Sequence, residues 1–145
     1  MSNPNKTVIG RTELVDLPDF SLGELEAKID TGADSSALHC TRITLHADNT
    51  VSFCVLDPNH PDYVGQTFRL PVYAQKRVKS SNGIAKRRVF IQTRIAIQKQ
   101  IYTIILSLTD RSKMSKPMLL GRTFLHGRFL VDVALNHTFK KRKKQ

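Results

Sequence analysis

The stretch Ile29-Asp30-Thr31-Gly32-Ala33-Asp34-Ser35-Ser36-Ala37-Leu38 sets the reading of the whole chain. Just before it, Leu25-Glu26-Ala27-Lys28-Ile29 alternates apolar and polar residues, the period of a half-buried strand. The strand breaks at Gly32. Asp30 therefore stands at a strand end, in a tight turn whose backbone N–H groups can turn inward. Thr31 adds a hydroxyl able to bond backbone groups and hold the loop. Asp and Gly also favour ordinary polar turns. An Asp-Thr-Gly-Ala match by itself arises by chance in about one chain of this length in a hundred. The surrounding pattern has to carry the assignment.

Outward from this stretch the chain reads as short strands. Thr41 to Leu45 and Val51 to Leu56 flank the turn pair Asp48-Asn49 and predict a hairpin. Asp57-Pro58-Asn59-His60-Pro61-Asp62 is a loop by composition. Val72 to Val78 predicts a strand ending at Ser80-Ser81-Asn82-Gly83, where Asn-Gly suits a type I′ turn with positive φ at both central residues. The return strand runs from about Arg88 to Gln98. Ile91, Thr93, Ile95 and Ile97 share one face; Gln92, Arg94 and Gln98 share the other. Ile101 to Leu108 is more apolar and reads as buried on both faces. Pro117 to Gly121 is a short apolar run, Arg122 to His126 one or two helical turns, and Phe129 to Val133 a last strand. Many short strands with almost no helix predict an all-β barrel or sandwich.

The chain has 145 residues and a mass of 16.4 kDa, which suits one domain. Hydrophobic residues make up 40% and charged residues 24%, values that exclude disorder throughout. The longest uncharged stretch, Gln100 to Thr109, is too short to span a bilayer. Met1 to Leu14 has no apolar run before a small-residue cleavage site, so the expectation is no signal peptide and a cytoplasmic protein without membrane partners. The net charge of +11 is unevenly placed. Residues 1–40 carry three basic and seven acidic side chains, whereas residues 69–128 carry fourteen basic and one acidic, Asp110. Such asymmetry predicts a strong surface field and an anionic partner. Lys140 to Lys144 is five basic residues in a row, which reads as a disordered tail, 140–145, after a domain over 1–139.

The Asp-Thr-Gly-Ala stretch, followed much later by Leu119-Leu120-Gly121-Arg122, resembles the signature of the retropepsins, aspartic peptidases of the retroviral type. The match is closer still to a bacterial family usually labelled ATP-dependent zinc proteases, whose members look like retropepsins. Five ordered blocks carry it: Ala27 to Ala33, Ser36 to His39, Val78 to Gly83, Met118 to Arg122 and Gly127 to Asp132. The resemblance covers Val8 to Phe139 and implies an all-β, retropepsin-like closed barrel with one short C-terminal helix. It implies Asp30 as the catalytic carboxylate and Thr31, Gly32 and Ala33 as the active-site loop. Ser80, Ser81, Asn82 and Gly83 would be the tip of a flap. Many members of the bacterial family carry a basic residue where this chain has Asp34. By the retroviral correspondence Asp34 pairs with Arg122; otherwise they are two unrelated surface charges.

Metal-free peptide hydrolysis needs one carboxyl as base and one as acid, and two in contact share a proton. Only one Asp-Thr/Ser-Gly loop occurs here, so the second carboxylate is expected from a second copy, Asp30 facing Asp30 in a homodimer. The apolar ends, Val8-Ile9 and Phe129 to Val133, are the expected interface strands. The expected activity is an aspartic endopeptidase cleaving a peptide or isopeptide bond. The alternative is a catalytically weak barrel that binds an anionic partner, an acidic peptide or nucleic acid. Association of the bacterial family with ATP-grasp glutamate ligases implies an acidic, glutamate-rich substrate.

The family label invites a search for zinc ligands. His39, Cys40, His46, Cys54, His60, His126 and His137 form no Cys-x-x-Cys, His-Glu-x-x-His or other close pair, so no metal is expected. No Gly-rich phosphate loop with Lys and Ser/Thr occurs, so no ATP cofactor is expected either. With Asp48-Asn49 centring the hairpin, Cys54 would lie opposite Ile43, leaving two free thiols. Arg77, Lys79, Lys86, Arg87, Arg88 and Arg94 are expected to cluster on the flap hairpin. Only Phe90 interleaves them, against the stacking platform nucleic-acid binders use.

Overall fold

The computed structural model describes residues 6–79, 83–110 and 115–138. Six strands close into a ring. In spatial order they are β3 (Leu22–Ile29), β2 (Thr12–Leu17), β8 (Ala85–Ile97), β9 (Gln100–Thr109), β4 (Ser36–Leu45) and β10 (Met118–Leu120). The barrel closes at β10, which pairs parallel with β3 and antiparallel with β4. A strand held on both edges and covered on both faces has to be apolar throughout. Met118, Leu119 and Leu120 are all buried. The single α-helix among the described residues, α1 (Arg122–Leu125), follows directly. The protein is thus all-β with a closed barrel and, among the described residues, one short α-helix, as the strand pattern and the resemblance imply.

The remaining strands decorate the ring. β5 (Thr50–Val55) and β6 (Thr67–Pro71) extend the sheet from β4, and β7 (Ala74–Lys79) pairs with the first half of β8. β1 (Thr7–Ile9) and β11 (Phe129–Val131) form a separate two-stranded parallel sheet. The two ends of the chain therefore pair with each other within one molecule. Two aromatic groups fill the interior. Phe20 packs edge-on against Phe53 at 5.7 Å and Phe68 at 4.9 Å. Tyr102, Phe124 and Phe129 meet pairwise at 5.7 to 5.8 Å, seating α1 and β11 on β9.

Several local expectations are corrected. β9 is buried on both faces only over Leu106, Ser107 and Leu108; Ile101 at its start is 61% exposed, because that half runs past the covered part of the barrel. Cys54 faces Thr41, not Ile43, because a bulge with Arg42 at φ 53° shifts the β4–β5 register between Thr41 and Thr44. Cys40 faces Val55, and both thiols are free and buried. Arg94 leaves the flap cluster: its guanidinium is held by Asp19 at 2.5 and 2.9 Å on the barrel half of β8. The expected tail, 140–145, and the flap-tip residues Ser80, Ser81 and Asn82 lie outside the described residues.

Candidate active site

β3 and β4 are consecutive in the chain yet do not pair; β10 lies between them. The loop joining them, residues 30–35, must therefore arch over the end of β10. Asp30 continues the β3–β10 ladder by one step, its N–H donating to the Leu120 carbonyl at 2.9 Å. The chain then turns, with Ala33 N–H donating to the Asp30 carbonyl at 3.2 Å. Gly32 N–H donates to Asp30 Oδ1 at 2.9 Å, so the turn aims its own amide at the carboxylate. Among the described residues this amide is the carboxylate's one hydrogen-bond partner. Asp30 is half-buried, and Thr31 and Gly32 beside it are exposed.

The far end of the chain braces this loop. Arg122 N–H donates to the Ala33 carbonyl at 2.7 Å and Thr123 N–H to the Asp34 carbonyl at 3.0 Å. The Arg122 guanidinium donates through Nη1 to the Thr31 carbonyl at 2.9 Å and through Nη2 to the Asp34 carboxylate. Asp34 and Arg122 side chains are 79% and 53% exposed, so the ion pair orients the loop more than it stabilises the fold. Buried Ser36, absent from the expected site, accepts the Gly121 N–H on its Oγ at 3.0 Å. Gly121 is required sterically. A Cβ there would lie 2.4 Å from the Ser35 carbonyl oxygen and 2.8 Å from that of Ala33, although its φ of −99° is open to any residue.

Above the loop stands the β7–β8 hairpin. Gly83, the one described residue of the expected flap tip, has φ +85°, a left-handed conformation that favours glycine. Lys76 faces Arg88, and Arg77 faces Arg87, across the ladder. Between hairpin and loop runs a cleft of about 540 Å³, lined among others by Ala33, Asp34, Ala37, Arg77, Arg88 and Phe90. Its wall begins three residues beyond Asp30. The cleft is cationic, since Asp34 is engaged by Arg122.

Among the described residues, four of the histidines considered as zinc ligands each have a hydrogen-bond partner of their own. His39 is buried with Nε2 2.6 Å from Asp57 Oδ2, and His137 Nε2 lies 2.7 Å from Glu26 Oε2. His46 meets the Ser52 hydroxyl, and His60 Nδ1 accepts the Asp62 N–H. Among the described residues no three His, Cys, Asp or Glu side chains gather as a ligand set. The bond from His39, with Asp57's acceptance of Asn59 N–H, holds the Asp57 carboxyl below its usual range. Burial pushes the Cys40 thiol well above its own. No helix of the described residues is long and apolar enough to cross a membrane.

Residues 8–142 match the family model described as RimB-like, retropepsin-like aspartic endopeptidase RimB. Two curated relatives are each named "Probable alpha-L-glutamate ligase". One, from Parasynechococcus marenigrum, is 33% identical over 135 residues, covering 91% of this chain and 29% of the relative. The other, from Desulfotalea psychrophila, is 31% identical over 137 residues, covering 90% and 29%. The chain thus spans under a third of the length of these relatives. A solved Legionella pneumophila protein of unknown function is 28% identical, with a TM-score of 0.72 over 92% of this chain and 98% of that one.

Proposed function

The chain belongs to the RimB-like family of retropepsin-like aspartic endopeptidases, and from that premise we propose that it is an aspartic-type peptidase active as a homodimer through Asp30. The observation that carries this reading is the lacing of the Asp30 loop to Gly121-Arg122, which holds one carboxylate on a braced turn. Gly32 N–H leaves one Asp30 oxygen bonded and the other open to a second group. Brought against Asp30 of a second copy, the two carboxyls share one proton, because both cannot ionise easily at contact. The ionised one takes a proton from water as it attacks the amide carbon. The protonated one gives its proton to the leaving nitrogen. The exposure of Thr31 and Gly32 leaves the loop open to that second copy. The β7–β8 hairpin would close over substrate and exclude water.

The proposed substrate is an acidic peptide or isopeptide. Arg77 and Arg88 in the cleft wall favour a negative chain. The relatives' ligase names point the same way: a ligase makes a glutamate linkage, and a peptidase beside it would open one. A functional link to an ATP-grasp glutamate ligase is part of the proposal. The test is peptidase activity on a glutamate-rich peptide. Asp30→Asn should abolish turnover, at least a thousandfold, while the circular dichroism spectrum and melting curve stay near wild type; a chelator should leave activity intact. Activity lost to the chelator and restored by zinc would overturn the carboxylate mechanism.

A further inference from the structure

Beside the cleft lies a second cavity, of about 270 Å³. Phe90 and Phe124, both buried, give it an apolar floor. Lys76, Arg128, Ser35 and Thr123 stand around it, and no acidic side chain among the described residues lines it. The two cations are held without being neutralised. Lys76 Nζ sits 5.3 Å from the Phe90 ring centre. The Arg128 guanidinium sits 5.0 Å from the Phe124 ring and 5.7 Å from Tyr102, and Nη1 donates to the Phe124 carbonyl at 2.8 Å. Among the described residues neither cation has a carboxylate partner. Rings and one carbonyl fix their positions while the charge stays available.

We propose that this cavity is a specificity subsite for an acidic side chain of the peptide, one or a few residues away from the bond cleaved. The inference rests on the peptidase reading. The methylenes of a glutamate side chain match the phenylalanine floor, and its carboxylate meets Lys76, Arg128 and the hydroxyls of Ser35 and Thr123. The cavity and the cleft share Ser35 and Phe90, so they are neighbours. An extended chain advances about 3.3 Å per residue, and a peptide in the cleft reaches the cavity within a few residues. The subsite thus selects acid at a fixed distance from Asp30, beyond the general attraction of a basic surface.

Labelled peptides binding to the Asp30→Asn protein, followed by fluorescence anisotropy, test this apart from turnover. An otherwise uncharged peptide carrying one glutamate is compared with its glutamine counterpart, the acid being moved along the sequence. One position should bind about tenfold tighter as glutamate, the scale of a charge-assisted hydrogen bond in a partly desolvated site. Lys76→Met, and separately Arg128→Gln, should remove most of that preference and leave the glutamine peptide within twofold. The subsite is overturned if no position prefers glutamate, or if both variants weaken the two peptides equally, as loss of packing would. A phosphoserine peptide binding well above the glutamate one would give the cavity to phosphate and overturn the carboxylate assignment. Wild-type protein that shows the preference yet cleaves nothing would instead refute the peptidase reading and leave the subsite standing.

Discussion

At Gly121 a hydrogen stands where any side chain would strike two backbone oxygens. The Ala33 oxygen cannot retreat easily, since it already accepts Arg122 N–H at 2.7 Å. Gly121→Ala should therefore cost about 1–3 kcal/mol, the range for forced overpacking, read as a lower midpoint in denaturant. It should also loosen the Asp30 loop, so activity falls more than the folded fraction does. A substitution tolerated without either effect would show that the loop is not clamped there. Asp30, Thr31 and Gly32 were legible in the sequence, because turn chemistry is local. Ser36 was not: its bond to Gly121 joins residues 85 apart, and a serine after a turn carries no sign of a distant partner.

Among the elements, the β7–β8 hairpin combines a strong turn signal with an electrostatic conflict. Its ladder sets Lys76 against Arg88 and Arg77 against Arg87, like charges directly opposite, which destabilise the pairing. Salt screens such repulsion with a Debye length of about 10 Å at 0.1 M. Amide exchange in 74–78 and 86–90 should therefore slow as salt rises from about 10 to 150 mM. Arg87→Thr should produce the same slowing in low salt. Exchange indifferent to both would mean that the charges are already compensated. The sequence predicts this hairpin from Asn82-Gly83 and the alternation after Arg88. It places Arg94 among the flap cations, and only the barrel half of β8 reveals that Asp19 has taken it. The Cys54 register likewise depends on a bulge at Arg42 that no residue pattern announces.

For the whole molecule the question is association. A net charge of +11 per chain opposes two copies meeting, and low salt strengthens that repulsion. On the homodimer reading, the terminal sheet would offer the opposing force. Val8 is 44% exposed and Leu130 46%, and β1 and β11 have outer edges free to pair among the described residues. A weak dimer is expected, its population rising with protein concentration and with moderate salt. Specific activity should rise in parallel, measured alongside sedimentation over one concentration series. Full activity from a species that sediments as a monomer would rule out the shared dyad.

Residue order alone was enough for most features that depend on neighbours along the chain, the bulge at Arg42 being an exception. The alternation of apolar and polar residues and the turn pairs settled an all-β fold. The resemblance to retropepsins, carried by the Asp30-Thr31-Gly32 turn and the Leu119-Leu120-Gly121-Arg122 run, marked the two halves of the candidate site. It took the folded chain to show that β10 slides between β3 and β4, which brings those halves into hydrogen-bond contact. Folding also paired β1 with β11 and set Lys76 and Arg128, 52 positions apart by their numbers, around one cavity. The physical reason is reach. Turns and strand periods depend on a few successive residues, whereas closing a barrel depends on which buried faces fit together across the fold.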